Sequence, residues 1–153
     1  MKPLRTTRPT VHLVGTGIAS GSPPDDLEDW FPGRWNRNRR MWPDAGLVCH
    51  AIAQAPETAR WWQPGRGATV NGGLVVGAAL HALSPTRRIA EVVATGKPVT
   101  RATDFLFALP SSCAAIAGIV FGLEQQQTTF TTHGMSGFSA LACGCDLMRT
   151  GRM

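Results

Sequence analysis

Two segments of this 153-residue chain carry almost no charge, yet they are spaced and terminated as helices. The first, "SSCAAIAGIVFGL" (111–123), follows Pro110 and closes at Gly122. The second, "SGFSALACGCDLM" (136–148), has a single charged residue, Asp146, in thirteen. A helix that is apolar all round must be covered on every side. Helix 136–148 therefore needs a sheet against both of its faces, and the rest of the chain predicts few strands to supply them.

The remaining pattern alternates strands with helices. "VHLVGTGIA" (11–19) reads as a buried first strand running into a Gly-rich turn. "SGSPPDDLEDW" is turn chemistry, with carboxylates placed to start a helix after the prolines. "PDAGLVCHAIAQA" (43–55) has apolar residues at 47, 48, 51 and 52, the spacing of a helix. "GATVNGGLVVGAALHAL" (67–83) reads as a strand, a Gly turn and a short helix. "SPTRRIAEVVATGKP" (84–98) is a helix capped by Ser84, entered through Pro85 and stopped at Gly96. "DFLFALP" is an apolar segment ending at Pro110. The β-branched run "TTFTT" (128–132) is a strand, and a helix over 135–149 ends the pattern. Alternation of this kind predicts an α/β fold of layered helices and mixed sheet. The length fits one domain, with no internal repeat.

Hydrophobic residues make up 43% of the chain and charged ones 16%, so part of the surface is apolar or covered by a partner. The net charge of +5 suits an acidic partner, of which nucleic acid is only one kind. The four cysteines, 49, 113, 143 and 145, follow no disulfide framework. Cys143 and Cys145 point about 200° apart on a helix and cannot grip one metal together. Buried thiols in a reducing cytoplasm are the expectation, with no metal and no cofactor. "VHLVGTGIA" is too short and too interrupted by Gly15 and Gly17 for a secretory signal, and no run reaches the length of a membrane span.

Three short motifs invite chemistry. "GTGIASG" nearly matches the dinucleotide fingerprint, but Gly21 falls one place late and two prolines follow. A tight turn is the simpler reading. "HGMSGF" invites the hydrolase elbow around Ser136, but the closing Gly is Phe138, and His133 has no placed carboxylate to orient it. Ser136 is better read as a small residue in a crowded turn. "RWNRNRR" (34–40) interleaves arginine with tryptophan, as a solvated loop or as a dock for an acidic protein, with single-stranded nucleic acid as the remaining option.

Taken together, the segments resemble the N-terminal half of the β-ketoacyl synthases, in the thiolase-like superfamily. That family opens with a strand and a Gly turn, as "VHLVGTGIASG" does here. A Pro-led small-residue helix ending in "GL" is matched by "LPSSCAAIAGIVFGL". A strand, the motif T-A-C-x-S-G and a helix ending in R-x-G-R are matched by "TTFT", "THGMSG" and "GFSALACGCDLMRTGR". The block from Phe121 to Arg152 aligns without gaps, while the first 100 residues match loosely.

The resemblance implies a partial thiolase-like fold, truncated before the family's C-terminal half, and an elbow formed by Thr132, His133, Gly134, Ser136 and Gly137. The family's nucleophilic Cys falls on Gly134, which has no side chain to attack a thioester. The family's two catalytic His and its Lys belong to its C-terminal half, beyond Met153. Ketosynthase-like proteins without the Cys are chain-length factors, which pair with an active ketosynthase in fatty-acid or polyketide synthesis; most carry Gln at this position, not Gly. The family dimerises through the strand before the Cys, so the resemblance assigns Thr129, Phe130, Thr131 and Met135 to a subunit interface. It makes a full-length ketosynthase and an acyl carrier protein the expected partners, with Arg37, Arg39 and Arg40 as the carrier dock. Two other readings stand beside it: a ketosynthase remnant without function, and an acyltransferase using Ser136 or His133.

Overall fold

In a computed structural model of the chain, residues 11, 17–20, 27–30, 43–55, 58–79, 83–96 and 102–152 are described. Arg37, Arg39 and Arg40 lie outside them, as do residues 12–16 of the expected first strand. Residues 17–20 are irregular, and a short 3-10 helix covers Leu27–Trp30.

Helix α1 (Pro43–Gln54) begins with a proline and has Asp44 in its first turn, where the helix dipole favours negative charge. A single helical turn, α2 (Thr58–Trp61), leads into a two-stranded antiparallel hairpin, β1 (Trp62–Gln63) and β2 (Gly67–Ala68). Strand β3 (Leu74–Gly77) follows. Three helices come next: α3 (Leu83–Thr95), α4 (Ala102–Ala108) and α5 (Ser112–Phe121). Strand β4 (Gln127–Phe130), a 3-10 turn (His133–Met135) and α6 (Ser136–Arg149) complete the chain. The mixed α/β class expected from the sequence is what these residues form.

β3 and β4 pair in parallel, Leu74 beside Gln127 through Gly77 beside Phe130. Parallel strands need a long crossover, and here α3, α4 and α5 provide it. This corrects the reading of the stretch after Gly73, which was expected to be a short helix. "LVVG" is a strand because two β-branched residues find a partner edge in β4.

The sheet separates two layers. Leu74 packs into the main core with Ile116, Ala117, Val120 and Phe121 of α5 and with Cys49 of α1. Trp62 closes that core, its ring 4.5 Å from that of Phe121 and 5.5 Å from that of Trp30. Its indole Nε1–H donates to the Val120 carbonyl at 3.0 Å, so the one polar atom of the ring is satisfied. Gly122 adopts φ 65° and ends α5, and the Leu123 N–H returns to the Gly118 carbonyl at 2.9 Å. The Gln127 side chain lies over Gly118 and donates to the Leu123 carbonyl at 3.0 Å, which ties the start of β4 to the end of α5. Alternation along the strands puts Val75, Gly77, Thr128 and Phe130 on the opposite face, where α6 packs.

The apolar helix α5 is buried on nearly every side, as its composition demands. α6 is not. Ser136, Ala140 and Leu147 face the sheet and are buried, whereas Phe138 is 69% exposed and Leu141 60%. Burial on every side was the sequence expectation for this helix, and among the described residues only one side is covered.

Candidate functional site

The end of the parallel sheet and the start of α6 form a strand–turn–helix elbow. Strand β4 ends at Phe130, whose carbonyl accepts the Ala78 N–H at 2.9 Å. The chain then turns through Thr131 and Thr132 into the His133–Met135 turn, closed by the Met135 N–H on the Thr132 carbonyl at 3.2 Å. Thr131 and Thr132, read from sequence as strand, lie beyond its end.

Ser136 locks the elbow. It is 1% exposed, and its hydroxyl is shared between the His133 carbonyl at 2.7 Å and the Ala78 carbonyl at 3.2 Å. A hydroxyl held in this way fixes backbone and is not presented to a substrate. Gly77 permits the arrangement: a Cβ there would fall on the Ser136 backbone and 2.8 Å from the Gly137 nitrogen. Sequence reading missed Gly77. The signal was a glycine immediately after a β-branched pair, the usual mark of a close backbone approach.

Two residues stand at the apex. His133 is exposed and adopts φ 50°, the only non-glycine residue with positive φ among those described. The left-handed conformation is uncommon for a residue with a Cβ and is typically held by surrounding structure at functional turns. Gly134 follows, and a side chain there would meet nothing within 4 Å. Its backbone is also not in the left-handed region. Neither sterics nor conformation requires glycine at 134, so the missing side chain is not a packing device. Thr132 Oγ1 lies 3.3 Å from Ser139 Oγ, across the first turn of α6.

The residues assigned to a subunit interface surround this elbow. Thr129 and Phe130 are half-buried, and Thr131 is exposed. Met135 is 60% exposed. Among the described residues, β4 has no strand on the side away from β3. The Thr129 hydroxyl is enclosed without a hydrogen-bond partner. On the other side of the sheet, β3 and α6 frame an open apolar groove of about 410 Å³, lined by Val75, Gly77, Gly137, Leu141, Cys145 and Met148 among others.

None of the four cysteines is in a disulfide. Burial pushes the Cys49 thiol up to about 12, with a smaller contribution from nearby Cys113. Burial likewise raises Cys113 to about 12, helped by Asp44. Both are protonated packing residues at neutral pH. Cys143 and Cys145 are half-buried on α6. Among the described residues, no three His, Cys, Asp or Glu side chains gather to hold a metal ion, and no helix is long and apolar enough to cross a membrane. No protein-family model, curated protein or solved structure matches the chain.

Proposed function

We propose that the chain is a catalytically silent ketosynthase-like subunit of the chain-length-factor type, with a partial thiolase-like fold. On this reading it pairs with an active ketosynthase in cytoplasmic fatty-acid or polyketide synthesis. The observation that carries the reading is the elbow itself. It has the strand, the turn and the helix that expose a nucleophile in acyl-transfer enzymes. Yet Gly134 offers no side chain, and the Ser136 hydroxyl is buried and bonded to two carbonyls. The unpaired side of β4 supports the assignment of Thr129, Phe130, Thr131 and Met135 to the ketosynthase interface. Arg37, Arg39 and Arg40 are assigned to the acidic carrier protein on charge alone.

A second reading, acyl transfer through the His133 imidazole, is favoured by one feature: the exposed ring at the positive-φ apex. Incubation with a radiolabelled acyl-carrier thioester separates the two. The silent-subunit reading expects no label on the chain. Stable label mapped to His133 would favour the second reading and overturn the first.

A further inference from the structure

We propose that Asn71–Gly72 is a self-modification site, where the chain closes a succinimide on itself and water opens it to aspartate and isoaspartate. Asn71 is exposed and stands in the irregular stretch 71–73 between β2 and β3. Among the described residues its side-chain amide has no hydrogen-bond partner.

The stretch is pinned at both ends and open between the pins. Upstream, the Thr69 N–H and hydroxyl both donate to the Trp61 carbonyl, at 2.7 and 3.0 Å. Downstream, the Gly72 carbonyl accepts the Gln125 N–H at 3.2 Å, and the Leu74 N–H donates to the Gln126 carbonyl at 3.0 Å. The Gly72 N–H, the attacking group, is bonded to no carbonyl among the described residues. In a helix or a paired strand that N–H would be held in the ladder.

Asn-Gly commonly marks a tight hairpin turn in which both residues take positive φ. That is not its use here, since neither residue has positive φ. A Cβ on residue 72 would touch only the Leu123 side chain, at 3.5 Å, an ordinary contact. The fold thus asks for glycine neither by conformation nor by space. What glycine supplies is access: without a Cβ, the backbone nitrogen reaches the preceding amide carbon unshielded and over a wider range of φ and ψ.

The Gly72 nitrogen bonds to Asn71 Cγ, and the Cγ–Nδ2 bond breaks. The displaced amide leaves as ammonia and takes the Gly72 amide proton with it. Water then opens the ring. Cleavage at Cγ restores the backbone with aspartate. Cleavage at the main-chain carbonyl carbon leaves isoaspartate, which routes the backbone through the side chain and lengthens it by one methylene. No oxidant or metal takes part. Either product lowers the net charge of +5 by one. Isoaspartate also displaces Gly72 from Gln125, so the tie at the entry to β3 is the contact that gives way.

The inference does not rest on the ketosynthase reading. The purified chain is incubated at a mildly alkaline pH below 9.0, the ordinary value of a thiol, and digested at intervals for mass spectrometry. A synthetic peptide of residues 68–76 serves as the unfolded reference. The segment carrying Asn71 is expected to gain the mass difference between a hydroxyl and an amino group and to split into two peaks. Its rate should be no less than about a tenth of the reference peptide's, as for a segment that opens freely. Asn36 and Asn38, each followed by arginine, should stay intact over the same period. Gly72→Ala should slow the conversion roughly tenfold with an unchanged melting temperature. A folded chain that converts more slowly than a tenth of the peptide's rate overturns the proposal, because the fold would then be locking Asn71. So does equally fast conversion at Asn36 or Asn38, or a rate that Gly72→Ala leaves unchanged.

Discussion

The backbones of Gly77 and Ser136 touch: a Cβ on residue 77 would lie 2.5 Å from the Ser136 carbonyl carbon. The end of β3 is thereby pressed against the first residue of α6, and the Ser136 hydroxyl bonds across the same junction to Ala78. This contact sets the angle at which α6 leaves the sheet, and so shapes the elbow between Thr131 and Gly137.

Gly77→Ala should therefore be costly although it adds one methyl group. The atoms it meets are backbone and cannot rotate away, so the strand or the helix must shift. A loss of about 2–3 kcal/mol is expected from overpacking of this kind. Chemical denaturation measures it, and a loss below about 0.5 kcal/mol would show that the junction is loose.

Ser136→Ala removes the hydroxyl that both carbonyls share. The expected loss is about 1–2 kcal/mol, because the Ala78 carbonyl loses this donor while the His133 carbonyl keeps only the Ser136 N–H. Ser136→Thr keeps the hydroxyl but adds a methyl group at a fully buried site, and it should also destabilise. Equal stability of parent and Ser136→Ala would remove the locking role.

His133 pays for its φ of 50° with backbone strain. His133→Gly should stabilise the fold by up to about 1 kcal/mol, the cost of holding a side chain in the left-handed region. A destabilised His133→Gly variant would mean that the imidazole itself makes a contact that holds the turn.

The buried thiols give a pH signature. Folded Cys49 and Cys113 keep their protons up to about 12, whereas the unperturbed value is 9.0. Between those values the folded state binds more protons than the unfolded one, so stability is full below pH 9 and falls as pH rises towards 12. Denaturation at a series of pH values reads this directly. Cys49→Ala/Cys113→Ala should lower stability at neutral pH and flatten the alkaline loss. An equally steep loss in the double variant would assign the effect to other groups.

Much of this architecture was legible in the sequence. Proline and Asp44 marked α1, and Gly122 marked the end of α5, because caps act locally. The apolar α5 was recognisably a central helix. The β-branched run before "HGMSG" announced both β4 and the elbow. Strand β3 was not legible, because Leu74–Gly77 takes its conformation from β4, about 50 residues away. The Gly77–Ser136 contact and the left-handed His133 are tertiary in the same sense. No local pattern encodes which backbone a glycine will meet. The uneven burial of α6 was also hidden: composition says that a helix is apolar, not which of its faces its own chain covers.

The central claim is that this chain serves as a non-catalytic partner of a ketosynthase. The direct measurement is affinity purification of the tagged chain from its own cells, with the co-purifying proteins identified by mass spectrometry. The account predicts a full-length ketosynthase in near-stoichiometric amount, lost with Phe130→Asp on β4 and retained with Ser136→Ala. Recovery of the folded chain without any ketosynthase would contradict it.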